Sequence, residues 1–487
     1  DRLTDMTAKF TEDAVTYGSI IIKEQNLPVQ QKTIKPIGVG GVAGGQKFVH
    51  EGIFFKFPTN EANLYGNLEN AMRGAGHEMK GLTGLINWEL KSVGLHAIQF
   101  PLTAIIDFYG YRLVATAVLP LGPQTLVIGS GDAGKSVLDG SEKMRAQAMA
   151  LAGLLKDYGK FLNLAPHEFL PGGSLGRKTV MVSICFDLEG HIGTDGNYYM
   201  CDFARTFPPA DPMGVSGRFL YRLLRPEYVK KYRMPLSSDS FLKMQVDKQL
   251  TEHTREASKY LTTTWLIEAI RVWNRTMSCV PPPNIIALLL HQSGINMRYL
   301  RLVAAVVMDE ALKKMVHAEI IARTLKSVIR NEIRETNKLD GETVFGIISK
   351  YFNLIFSDND ESNEYWNKQL QLEILNSSHG TRFDAPTAAF FDLADEILSG
   401  PTPVSSPAPS LANSYSSLMP SSLMSPSMNS SQELPVSDSP PASPSIRQSR
   451  SSGTSKKASA KKTTVRAGEA SPKTATTPKT PKRAGGG

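Results

Sequence analysis

GHIGTDGNYYMCDFARTFP, residues 190–208, is the stretch on which the reading of this chain turns. Thr194-Asp195-Gly196-Asn197 has the composition of a tight turn, where Asp, Asn and Gly adopt backbone conformations that other residues resist. The aromatic run Tyr198–Phe203 after it reads as a strand, and Val180–Phe186 before it as a second strand joined by that turn.

Further upstream, Lys47–Phe57 (KFVHEGIFFKF) alternates like one half-buried strand, and Asn67–Ile86 carries helical spacing. Leu102–Asp107 and Tyr111–Leu119 form a hairpin about Tyr109-Gly110, Gln124–Ile128 is another strand, and Met144–Tyr158 is helical. After Tyr221 the pattern changes to amphipathic helices over Met244–Met277, Asn284–Glu335, Val344–Phe356 and Tyr365–Ile374. The expected fold class is an α+β domain followed by an all-α helical domain and a disordered tail. The expected boundaries are an N-terminal segment at 1–45, the α+β domain at 46–237, the helical domain at 238–399 and the tail at 400–487. Because the chain starts at Asp1, the first segment is expected to be truncated.

The chain has 487 residues, 41% of them hydrophobic, enough for two or three cores. No stretch approaches the roughly 18 uninterrupted apolar residues of a membrane span, so no stable membrane insertion is expected. Three scattered cysteines, Cys185, Cys201 and Cys279, suit a reducing compartment and neither a disulfide framework nor a zinc site. The formal charge of +8 resides in the tail, where 11 of the 54 Lys and Arg meet only 3 of the 46 Asp and Glu from Pro401 onward. That leaves 43 of each sign upstream, so any basic surface on the body must come from local patterning. The tail is a low-complexity mixture of Ser, Pro, Thr, Ala and Lys, with Ser439, Ser443, Ser471, Thr477 and Thr480 before prolines as phosphorylation candidates.

Four segments in order resemble the clustered mitochondria (Clu) family: Ile128–Val137 (IGSGDAGKSV), Gly190–Pro208, Tyr221–Val229 (YRLLRPEYV) and Leu290–Leu300 (LHQSGINMRYL). The resemblance runs from about Gln46 to Ile374. Its motif positions here are Asp195, Gly196, Asp202, Arg205, Phe207, Pro208, Arg225, Pro226, Glu227, Gly294, Asn296, Arg298 and Tyr299. It implies a Clu-like α+β domain, a Clu-central-like helical domain, and a cytoplasmic, non-catalytic protein. The implied partners are mRNA or ribosome-associated proteins and a mitochondrial surface protein, with an effect on mitochondrial distribution; self-association is left open. No 34- or 40-residue period is found, so the family's C-terminal tetratricopeptide repeats are not expected in this chain.

Two enzymatic patterns are present. Gly129–Ser136 (GSGDAGKS) fits the phosphate-cradling pattern, with Gly129, Gly134, Lys135 and Ser136 as its contacts. A phosphate loop must open into a helix, and Val137-Leu138-Asp139-Gly140 is a poor first turn, so the segment is read as a tight turn with nucleotide binding as the alternative. Lys56 on a strand, Glu78 in the next helix, a hairpin, and Asp202-Phe203-Ala204 after a strand follow kinase-like order. No His-Arg-Asp with a following Asn occurs between Ala165 and Met200, so an inactive relative is the furthest reading. His191, Asp195 and Asp202 are read as structural rather than as a hard-ion site, and no catalytic residue, cofactor or metal is expected.

For RNA, Arg205, Arg222 and Arg225 stand beside Phe203, Phe207, Tyr221 and Tyr228, and Lys230, Lys231 and Arg233 extend the charge. Guanidinium groups and rings hold phosphates and stack unpaired bases. The alternative is that Arg205 pairs with Asp202 or Glu227 inside the fold. Arg298, Arg323, Lys326 and Arg330 recur at helical spacing and are read as a solvated face.

Overall fold

The computed structural model describes residues 2–38, 44–92, 97–141, 146–173, 178–276, 285–336 and 338–376. The tail and its five phosphorylation candidates lie outside the described residues.

Helix α1 (Arg2–Lys23) opens the chain and buries Phe10, Ala14, Gly18, Ile21 and Ile22, a stripe at helical spacing. It packs on a four-stranded antiparallel sheet of β1 (Lys47–His50) and β2 (Ile53–Lys56), followed past two helices by β4 and β5, in the order β1-β2-β5-β4. The expected single strand at 47–57 is therefore a hairpin. Glu51 and Gly52, at φ 45° and 71°, make the two-residue turn that periodicity alone concealed.

The expected helix at 67–86 is two, α2 (Leu68–Ala75), capped by the Asn67 side chain, and α3 (Glu78–Lys91), with the break at Gly76-His77. After β3 (Ile98–Gln99) come β4 (Thr103–Phe108) and β5 (Tyr111–Ala117), the hairpin about Tyr109-Gly110 as read. Next are β6 (Leu126–Gly129), β7 (Leu138–Asp139), helix α4 (Ala146–Phe161), β8 (His167–Phe169) and β9 (Val180–Val182), the last two paired with each other. β10 (Glu189–Ile192) and β11 (Tyr198–Cys201) complete a second sheet, ordered β3-β11-β10-β6-β7. The Asp195-Gly196 turn thus joins β11 to β10 and not to the strand at 180, because the polar Glu189-Gly190-His191 run carries too little apolar signal to read as a strand.

The helical region comprises α5 (Pro226–Val229), α6 (Lys248–Tyr260), α7 (Leu266–Thr276), α8 (Ile285–Gln292), α9 (Leu300–Val306), α10 (Glu310–Glu335), α11 (Gly341–Phe356), α12 (Asp360–Glu364) and α13 (Leu370–Asn376). The expected helix at 284–335 is three, interrupted at Gly294 (φ 73°) and before Asp309, whose carboxylate caps α10 at Leu312 N. The main core is continuous from Leu85 and Tyr158 through Tyr228 to Trp265, Leu300 and Val316, so the α+β and helical portions are packed as one body. A second core joins α1 and the first sheet to Ile333 and Val344 of α10 and α11.

Candidate nucleic-acid interface

The segments Tyr221–Val229 and Leu290–Leu300 are more than sixty residues apart in sequence and meet in space. Pro226 starts α5, and Ala210 N and Leu224 N donate to Arg222 O and Pro208 O, which ties the segment to the motif before it. Asn296 Nδ2 donates to Leu223 O at 3.2 Å, and Gly294 lies flush against the Tyr228 backbone. Arg222, Arg225 and Arg298 thereby share one wall of a cleft of about 450 Å³. Arg73, His77 and Lys80 enter from α2 and α3, Arg112 from β5, and Arg323 and Arg330 from α10.

Among the lining residues eight are Lys or Arg and one, Glu69, is acidic, a dense positive patch on a body whose net charge is zero. Some of the charge is neutralised: Arg225 makes a bidentate pair with Glu227 at 2.8 and 2.9 Å, and Arg112 with Asp107 at 2.7 Å. Burial, helped by the neighbouring Arg225 and Arg298, pushes Lys80 down to about 7. Its Nζ lies 3.2 Å from His77 Nδ1, while His77 Nε2 faces Tyr221 O at 2.9 Å. That geometry makes Nε2 the donor and leaves Nδ1 to accept from Lys80, so His77 is neutral; burial and Lys80 hold it well below the usual imidazole range. Burial and Arg225 likewise push His291 down to about 4. Arg330 is lowered by burial, against the opposing pull of Glu69. Cations depressed in this way mark a place where an anion would be stabilised.

The six RNA candidates divide. Arg222 and Arg225 line the cleft. Arg205 is buried: Nη2 meets Asp239 Oδ1 at 2.7 Å, Nη1 meets Asp187 Oδ2 at 3.2 Å, and its guanidinium lies over the Phe186 ring. Asp239 also accepts from His167 Nε2 and Phe186 N, both at 2.9 Å, which makes it the hub of an internal network. The pairing anticipated for Arg205 with Asp202 or Glu227 thus goes to Asp187 and Asp239 instead. Phe203 and Phe207 are core residues beside it. Lys230 lies over the Phe161 ring at 3.9 Å, and Arg233 is 73% exposed, 3.9 Å from Glu256; neither these nor Lys231 line the cleft. Arg323 and Arg330, expected on a solvated face, are instead cleft residues, because α10 packs that face toward α2 and β5. Arg73, Lys80 and Arg112 were not singled out by sequence, although Arg73, His77 and Lys80 recur at helical spacing.

Of the other motif positions, Asp195 accepts from Asn197 N and Tyr199 Oη within its own hairpin, and Gly196 supplies φ 83°. His191 is engaged elsewhere, with Thr125 Oγ1 at Nδ1 and Glu189 at Nε2. Tyr299 is buried, with the Arg298 guanidinium over its ring. Gly129–Ser136 is a turn from β6 into β7. Asp132 accepts from Ser136 N and Oγ, and Ser130 Oγ accepts from Gly134 N. A carboxylate takes backbone and hydroxyl donors that a phosphate would use, and strand β7 follows where a helix N-terminus is required.

Residues 1–211 match the sequence model of the family described as Clustered mitochondria, and residues 283–433 match that of Translation initiation factor eIF3 subunit 135. The chain is 29% identical over 204 residues to the Clustered mitochondria protein homolog of Aedes aegypti, covering 40% of this chain and 13% of that protein. It is 28% identical over 204 residues to Protein clueless of Drosophila virilis, again 40% of this chain and 12% of the relative. Against Protein clueless of Drosophila mojavensis it is 35% identical over 114 residues, 22% of this chain and 7% of the other. The matched span is thus about an eighth or less of these relatives' length. No solved structure matches. The first match spans α1 as well as the residues from Gln46 onward. Over residues 1–211 this chain is thus similar in sequence to the clustered mitochondria family.

Proposed function

We propose that this chain is a non-catalytic, cytoplasmic binding protein that holds RNA phosphates in the cleft lined by α3, the Arg222–Arg225 segment and α10. Through that contact it associates with messages and ribosome-associated proteins and influences mitochondrial distribution. The observation that carries this reading is the cleft itself, where Lys80, Arg222, Arg225, Arg298 and Arg330 converge with Tyr221 on one wall. Phosphate contacts of this kind supply affinity that falls with salt. The match of residues 283–433 to an initiation-factor subunit supports an association with translation, and the names of the relatives support the mitochondrial role. Among the described residues no helix is long and apolar enough to cross a membrane.

The test is ultraviolet crosslinking to RNA in cells, with the full chain, a chain ending at Gly400, and an Arg298→Gln/Arg330→Gln chain. Crosslinks that persist without the tail and drop in the double variant are expected. In vitro, the same variant lowers the salt slope of single-stranded RNA binding by about 1.4. Crosslinks that vanish with the tail and ignore the cleft variant would overturn the reading and assign the RNA contact to nonspecific tail charge.

A further inference from the structure

A second constellation stands apart from the cleft. Lys56 ends β2, and its Nζ lies 3.2 Å from Asp202 Oδ1, the residue that follows β11. The two side chains are 35% and 50% exposed, so the pair opens to solvent. Glu78, the first residue of α3, is buried and accepts from Phe203 N at 2.9 Å. Phe203 packs on the same helix at Gly81, where an added Cβ would come within 2.6 Å of the Phe203 Cβ. Asp202 itself has φ 59° and ψ 56°, a left-handed conformation that a non-glycine residue holds only when its surroundings enforce it. Asp187, two residues before β10, gives Oδ2 to Arg205 and keeps its buried Oδ1 without a hydrogen-bond partner.

This is the arrangement in which nucleotide-binding kinase folds place a strand lysine, a helix glutamate and a metal-holding aspartate after a hairpin. The topology agrees. Helices α2 and α3 lie in sequence between the lysine strand β2 and the β4–β5 hairpin, and β2 pairs directly with β5 through Lys56 and Val114. The β10–β11 hairpin then delivers Asp202. Asp202 pairs with Lys56 at 3.2 Å, Asp187 with Arg205 at 3.2 Å, and the buried Glu78 stands behind them on the Phe203 amide.

We propose that Lys56, Asp202 and Asp187 form a binding site for a nucleoside triphosphate with Mg²⁺. Lys56 would meet the phosphates, and the two aspartates would hold the metal. Glu78 positions Asp202 through the Phe203 amide. No residue in the stretch between α4 and β10 supplies the His-Arg-Asp catalytic loop, so the site binds without phosphoryl transfer. This proposal is independent of the RNA cleft and survives its failure.

The experiment is a fluorescence titration of the full chain with mant-ATP, with Mg²⁺ and then with excess EDTA. Saturable, Mg²⁺-dependent binding is expected, weakened at least about tenfold by Asp202→Asn and by Lys56→Met, and unchanged by Lys135→Ala. Circular dichroism melting without nucleotide checks the fold of each variant. Should Lys56→Met unfold, Asp202→Asn, which keeps the shape of a half-exposed side chain, carries the test. Absence of saturation up to about 1 mM, binding indifferent to Mg²⁺ or to Asp202→Asn, or loss on Lys135→Ala instead would each overturn the proposal.

Discussion

Gly294 lies so close to Tyr228 that a Cβ added to it would fall 2.5 Å from the Tyr228 amide nitrogen. The neighbouring atoms are mainly backbone and cannot rotate away, and Gly294 also holds φ 73°. The contact presses Leu290–Leu300 against Tyr221–Val229 and so brings Arg298 beside Arg225 in one cleft. Gly294→Ala should therefore destabilise the chain by about 1–3 kcal/mol from conformational strain alone, and more from the clash. Urea denaturation checks this, and a melting temperature equal to the parent's would contradict it.

Arg205 serves the interior. Removing one partner of a buried ion pair leaves an uncompensated charge and costs about 3–5 kcal/mol. Arg205→Ala strands Asp239 and Asp187 and should lower stability on that scale. In whatever fraction remains folded, the salt slope of RNA binding should match the parent's, unlike that of Arg298→Gln.

Lys80 gives the cleft a pH dependence near neutrality. Its folded value of about 7 lies below the unfolded value of 10.5, so folding expels a proton between the two. The destabilisation is fully present below pH 7 and relieved as pH rises toward 10.5. Lys80→Met should stabilise the chain below pH 7 and flatten the slope above it, about 1.4 kcal/mol for each unit of depression removed. A bound anion reverses the effect by favouring the charged amine, so RNA affinity should fall as pH rises through 7. Arg225, Arg298, Glu227 and the neutral His77 surround the amine. Titration calorimetry in two buffers of different ionisation enthalpy should register proton uptake on binding.

His167 has the opposite sign. Burial opposes its protonation, but the Asp239 hydrogen bond and charge outweigh that and raise it above the usual value. Its contribution to stability is full below pH 6.5 and is lost as pH rises through the folded value. His167→Gln should remove that slope, measured as urea midpoints from pH 5 to pH 8.

Much of the architecture was legible because its signals are local. The Tyr109-Gly110 hairpin and the β5 run announce themselves within a dozen residues, and the amphipathic stripes of α6, α10 and α11 do so over single helices. The hairpin at Glu51-Gly52 was missed because both arms continue the same alternation through the turn. Helix α1 carries none of the family motifs, although its apolar stripe from Phe10 to Ile22 is legible at helical spacing. Strand β10 was missed for a different reason, since its polar residues are strand-forming only between two pairing partners.

By itself the sequence determined the resemblance to the clustered mitochondria family, the α+β-then-helical order, and the turn chemistry of Asp195-Gly196, because these depend on residue type and spacing over short ranges. Which arginines act together was decided by the tertiary structure alone. Arg205 and Arg222 stand seventeen positions apart and are both buried, yet one pairs with Asp187 and Asp239 and the other forms part of a cleft wall. Lys80, Arg225, Arg298 and Arg330 span 250 residues and meet only because Gly294 admits the Tyr228 backbone and α10 packs across α2 and β5. Burial, and with it the depression of Lys80, is a property of that assembly, since the cost of desolvating a charge depends on everything packed around it and on nothing in its own short stretch of chain.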